Sequence, residues 1–136
     1  KEAGVELVDL NTLCERSDYI SVHAPLLPST RGLIGAEQFA LMKKTAIIIN
    51  TSRGPLLDEN ALLHALKNKK IACAGLDVFQ TEPLDPDSEL RNLDNVTLTD
   101  HAGWFSVESM VELKTKAAQN IADTLTTGKP KYIVKI

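Results

Sequence analysis

Cysteine pairs, basic runs and long apolar stretches are all missing from this sequence. Its two cysteines, Cys14 and Cys73, lie far apart with no CxxC spacing, which argues against a disulfide framework and a zinc site and fits a reducing, cytoplasmic setting. Eighteen acidic and fifteen basic residues are interleaved to a net charge of -3, so no Lys/Arg track exists to follow a phosphate backbone, and nucleic acid is not an expected partner. Apolar runs such as Ala46 to Ile49 fall far short of the roughly 20 residues that a spanning helix needs, so no membrane partner is expected. The chain opens Lys1-Glu2-Ala3-Gly4, with neither an initiating methionine nor a signal-peptide pattern, and runs directly into an apolar segment; a truncated or excised polypeptide is expected.

With 43% hydrophobic residues in 136 positions, the chain can bury one core. Short apolar runs rich in β-branched residues recur at 5–8, 19–22, 46–50, 72–78 and 96–99 and read as strands. Helical patterns separate them. Asp9 precedes a short one over 10–16, Gly35 precedes another carrying Phe39, Leu41 and Met42, and Asp58 caps a third whose Leu62, Leu63 and Leu66 form one stripe. A last, long amphipathic helix begins near Ser106 and stops at Gly128-Lys129-Pro130, and the tail 131–136 alternates like a departing strand. Strands alternating with helices predict an α/β architecture: a doubly wound, mainly parallel sheet flanked by helices.

In such sheets ligands bind beyond the carboxyl ends of the strands. Polar clusters follow four of the five runs: His23 to Gly32, Asn50-Thr51-Ser52-Arg53-Gly54, Asp77 to Pro83, and Asp100-His101-Ala102-Gly103-Trp104. An arginine, a glutamate and a histidine gathered there suit reduction of a 2-keto acid. The Arg53 guanidinium can grip a carboxylate bidentately and polarise the neighbouring carbonyl. His101 can neutralise the oxygen that gains charge when hydride arrives, by donating a proton, and take that proton back in reverse. Glu82, bonded to the other ring nitrogen, would hold the imidazole's tautomer and favour its cationic form.

Three segments carry a family resemblance: residues 17–26 (Ser-Asp-Tyr-Ile-Ser-Val-His-Ala-Pro-Leu), 50–62 (Asn-Thr-Ser-Arg-Gly-Pro-Leu-Leu-Asp-Glu-Asn-Ala-Leu) and 75–84 (Gly-Leu-Asp-Val-Phe-Gln-Thr-Glu-Pro-Leu). In that order they resemble the successive signatures of the D-2-hydroxyacid dehydrogenases, and the resemblance runs from about Val5 to the end of the chain. It implies a partial Rossmann-type fold, with residues 1–129 forming the C-terminal portion of an NAD-binding domain and 130–136 returning toward a missing substrate domain. It implies catalytic roles for Arg53, Glu82 and His101 and a contact between Asp77 and the nicotinamide carboxamide. Ala24, Pro25, Thr30, Thr51, Ser52 and Gly103 fall at cofactor-lining positions. NAD is the implied cofactor, with NADP left open, and a homodimer is the implied assembly.

Leu27 stands where the family usually has Thr, and Asp100 where Pro commonly precedes the histidine. The segment His101-Ala-Gly-Trp104 is similar to a branch that includes phosphoglycerate dehydrogenase-like proteins and the C-terminal-binding-protein corepressors. Trp104 either walls the substrate pocket or packs in a core, Thr30 either touches cofactor or only finishes the turn begun by Pro28, and His23 reads as structural. Two functions stay open: an oxidoreductase acting on 2-keto and D-2-hydroxy acids, and an NAD(H)-sensing binding module. The chain alone is expected to be inactive, because it begins after the glycine-rich turn that should bind pyrophosphate.

Overall fold

The computed structural model describes residues 4–133. Ten elements follow one another: α1 (Leu10–Arg16), β1 (Tyr19–Val22), α2 (Ala36–Leu41), β2 (Ile47–Asn50), a 3-10 turn (Gly54–Leu56), α3 (Glu59–Lys67), β3 (Cys73–Leu76), a second 3-10 turn (Glu89–Asn92), β4 (Val96–Leu98) and α4 (Val107–Thr127). The four strands form one parallel sheet in the order β1-β2-β3-β4, with Val22 beside Asn50, Asn50 beside Leu76 and Leu76 beside Leu98. All four carboxyl ends therefore share one edge, as the alternation of apolar runs and helical patterns predicts.

Burial alternates along the strands. Ile20, Val22, Ile48, Asn50, Ala74 and Leu76 are buried, while Tyr19 and Ser21 are exposed and Ile47, Ile49 and Cys73 half-buried. The apolar members of that set pack with Cys14 of α1, Phe39 of α2 and Leu62, Ala65 and Leu66 of α3 into one core, with α1 against α2 and α2 against α3. Each helix starts where its sequence signals it. The Asp9 carboxylate accepts from Thr12 N at 3.0 Å and the Asp58 carboxylate from Ala61 N at 3.0 Å, satisfying donors that a first helical turn leaves open.

The run 5–8 is not a strand. It has no ladder partner, Val5 and Leu7 are exposed, and the segment is held instead by a two-bond ion pair from Arg16 to Glu6 at 2.9 and 2.7 Å. A short apolar run alone does not supply the neighbouring backbone that a strand needs. β3 is also shorter than its apolar run, ending at Leu76 because Val78 and Phe79 turn out of the ladder into the core beside the 3-10 turn.

The described chain divides into two compact units, one ending at His101 and one beginning at Ala102. The second contains α4. Its capping box pairs Ser109 N with Ser106 Oγ at 3.0 Å and Ser106 N with Ser109 Oγ at 2.8 Å, and Gly128 ends it in the left-handed region at φ 73°. Val107, Val111, Ile121 and Leu125 leave an exposed apolar stripe on this helix. Residues 131–133 are irregular rather than strand, and 134–136 of the expected tail strand lie outside the described residues. No described helix is long and apolar enough to cross a membrane, and among the described residues no three His, Cys, Asp or Glu side chains gather as a metal site.

Candidate active site

The loop after β2 is built by the strand's last residue. Asn50 is fully buried; its Oδ1 accepts from Ser52 N at 3.1 Å and its Nδ2 donates to the Arg53 carbonyl at 2.9 Å. Such side-chain bonds to nearby backbone close a turn that neither strand nor helix would make. Arg53 leaves this turn in an extended conformation, exposed, with Nη1 donating to Ser52 O at 2.6 Å. Gly54 follows with no room for a side chain, because a Cβ there would penetrate the Phe79 backbone carbonyl. That close approach seats the β2 loop directly on the β3 loop.

The β3 loop is pinned along its length. Gln80 Nε2 donates to Leu57 O at 2.7 Å, Phe79 N donates to Glu82 Oε1 at 3.1 Å, and Arg91 donates to Asp85 O at 2.9 Å and to Leu84 O at 2.8 Å. Asp77, only 3% exposed, begins the loop and accepts from Thr99 Oγ1 at 2.6 Å. Its backbone carbonyl accepts from His101 N at 2.9 Å. His101 itself sits in the left-handed region at φ 48°, an uncommon backbone state for a residue with a side chain, which persists only when its surroundings hold it.

Those constraints bring the His101 ring to Glu82, with Nδ1 and Oε2 2.7 Å apart and both side chains partly exposed. The bond from His101 and then the Phe79 N–H, with smaller help from the charges of His101 and Arg53, hold the Glu82 carboxyl below the ordinary carboxylate range against partial desolvation. An ionised carboxylate can only accept, so Nδ1 is the donor in this pair. Arg53, Glu82 and His101 thus come from three strand ends to one neighbourhood, next to buried Asp77.

The remaining sequence candidates divide. Ala24 O accepts from Ser52 Oγ at 2.8 Å, and Thr30 Oγ1 donates to Pro25 O at 2.7 Å while accepting from Leu27 N at 2.8 Å, so Ser52 and Thr30 both brace the loop after β1. Thr51 is exposed at the end of β2. His23 meets Ser21 Oγ at 2.8 Å on the outer side of β1. Gly103 and Trp104 belong to the second unit, where Trp104 is 49% exposed and stacks edge-on against Phe105 at 5.6 Å between centroids. Asn50, Gly54 and Gln80 were not singled out by sequence reasoning. The signal for Asn50 was an asparagine closing an apolar run before Thr-Ser.

A parallel sheet with helices between its strands, carrying an arginine, a carboxylate-paired histidine and a buried aspartate on the carboxyl edge, defines a nucleotide-dependent dehydrogenase type of domain. Residues 1–103 match the family described as D-isomer specific 2-hydroxyacid dehydrogenase, NAD binding domain, and the chain belongs to that family. It is 52% identical over 134 residues to a D-3-phosphoglycerate dehydrogenase of Methanocaldococcus jannaschii, covering 98% of this chain and 25% of that protein. It is 49% identical over 121 residues to a glyoxylate reductase of Korarchaeum cryptofilum, covering 89% and 36% respectively. A D-lactate dehydrogenase from Sporolactobacillus sp superposes with a TM-score of 0.89 at 33% identity, over 98% of this chain and 44% of that one. The chain therefore spans about a quarter to under a half of the relatives it matches.

The donor set suits one end of the cofactor. A carboxylate at a strand end is the type of acceptor that an amide N–H takes, whereas no GxGxxG sequence occurs in the chain to cradle a pyrophosphate.

Proposed function

We propose that this chain supplies the nicotinamide side of the active site of a reductase that interconverts 2-keto acids and D-2-hydroxy acids with NAD(H). The observation that carries the reading is the 2.7 Å bond from His101 Nδ1 to a Glu82 carboxylate held ionised, close enough to Arg53 to feel its charge. NADH, when bound, would supply the hydride that the carbonyl carbon receives. Arg53 grips the substrate carboxylate with its planar fork and draws charge from the adjacent carbonyl. His101 Nε2 gives a proton to the carbonyl oxygen as negative charge develops there, and accepts it from the hydroxyl in reverse. Glu82 keeps hydrogen on Nδ1, orients the ring and stabilises the cationic imidazole. Asp77 would accept from the carboxamide, with Ala24, Pro25, Thr30, Thr51 and Ser52 lining the same cofactor.

What supports a separate substrate domain is the share of the relatives that the chain leaves uncovered. On this reading the segment from Pro130 onward leads toward it. The test is NADH oxidation by the polypeptide carrying this chain, with glyoxylate, pyruvate and hydroxypyruvate beside acetone, which lacks the carboxylate. Turnover of at least one acid and none of acetone is expected; no turnover of any acid, or equal turnover of acetone, would contradict the assignment.

A further inference from the structure

Asn50 and Asp77 are the two buried polar residues among the described ones, and only Asp77 has a role in the proposed chemistry. Asn50 is fully enclosed, and its side chain bonds only to backbone of the loop that carries Arg53. Its Oδ1 takes Ser52 N at 3.1 Å, its Nδ2 gives to Arg53 O at 2.9 Å, and its own carbonyl takes Asp77 N at 3.0 Å. The Arg53 carbonyl receives a second bond from Leu56 N at 3.2 Å, so the residue bearing the guanidinium is held from both sides. Only an amide of this length offers a donor and an acceptor together; a carboxylate would set an acceptor against the Arg53 carbonyl, and a shorter side chain would not reach it.

We propose that Asn50 is a positioning residue, which fixes the backbone of Arg53, and with it the root of the guanidinium-bearing side chain, while anchoring Asp77 through its own carbonyl. The inference rests on the reading of Arg53 as the group that grips the substrate carboxylate. Its consequence is selective. Freeing the Arg53 backbone moves the carboxylate-binding fork by a fraction of its reach, and misplacements of that order weaken an oriented contact about tenfold to a hundredfold. Because β2 and β3 stay paired at Ile47 to Ile49, the sheet edge that would carry the cofactor keeps its frame.

A purely structural asparagine is available for comparison. Asn95 Nδ2 donates to Ala72 O at 3.0 Å and Leu66 O at 3.4 Å, where β3 begins, away from the carboxyl edge.

The experiment measures Asn50→Asp, Asn50→Ser, Asn95→Ala and Arg53→Gln variants of the polypeptide carrying this chain. It reads the 2-keto acid KM, the inhibition constant for oxamate, the NADH Kd, kcat and Tm. For both Asn50 variants, keto acid KM and oxamate inhibition constant are expected to rise about tenfold or more while NADH Kd stays within about twofold. Asn95→Ala is expected to lower Tm and leave KM unchanged. Asn50 variants that behave like Asn95→Ala, or that lose NADH and oxamate binding together, or that both fail to fold, overturn the positioning role. If Arg53→Gln leaves KM and oxamate binding unchanged, the reading of Arg53 has failed instead, and the inference falls with it.

Discussion

His101 reaches Glu82 across nineteen residues of sequence, with Nδ1 2.7 Å from Oε2, while its own backbone N–H is tied to the carbonyl of Asp77. The ring and the backbone of one residue are thus anchored to opposite ends of the β3 loop, which accounts for a histidine resting at φ 48°.

The pair makes Glu82 a pH probe. Its folded-state pKa lies below the ordinary value of 4.5, so its stabilising contribution is complete above that value and is lost as pH falls through the lower, folded one. Carboxyl NMR titration is expected to place the Glu82 midpoint below 4.5 in the native protein and to move it upward in His101→Gln, since the histidine bond is the largest cause. An unshifted midpoint in the wild-type protein would contradict the pairing.

Gly54→Ala is expected to cost about 2 to 3 kcal/mol, because the added methyl meets Phe79 backbone, which no change of rotamer can move aside. Thermal or urea unfolding measures this. A loss near zero would mean that the β2 and β3 loops are not seated on each other as described.

Arg53→Lys keeps the charge and removes the planar fork. Keto acid KM is expected to rise about tenfold or more while NADH affinity holds. Steady-state kinetics decide it, and an unchanged KM would remove Arg53 from the substrate contact.

Helix α3 ends with Lys69 at φ 52°, Lys69 N bonded to Leu66 O at 3.1 Å and Lys70 N to Ala65 O at 2.8 Å, a Schellman arrangement with lysine at the left-handed position. Lys69→Gly is expected to stabilise by about 0.5 to 1 kcal/mol, the relief of a left-handed side chain less the extra freedom glycine has when unfolded. Denaturant titration checks the sign.

Where local chemistry decides structure, the sequence is readable. Asp58 and Ser106 cap the helices they precede, Gly128 ends α4, and four of the five short apolar runs become four parallel strands. The Arg53, Glu82 and His101 neighbourhood was legible because each residue follows a strand and a parallel sheet sends all its carboxyl ends to one edge. Val5 to Val8 misled because a short β-branched apolar run becomes a strand only where a partner exists. Asn50, Gly54 and Gln80 were hidden for a different reason. Their work is a bond or a close approach between loops 23 to 25 residues apart, or to a carbonyl three residues on, and no periodicity records it.

The central claim is that His101, oriented by Glu82, is the proton donor of a hydride-transfer site. The most direct measurement compares kcat for NADH-linked reduction of the best-turned-over 2-keto acid in the wild-type polypeptide and in His101→Gln, with NADH Kd measured alongside. A fall of about a hundredfold or more in kcat at unchanged NADH affinity is the expected result. Equal kcat in the two proteins, or tight NADH binding with no turnover in either, would contradict it and favour a module that senses the cofactor without using it.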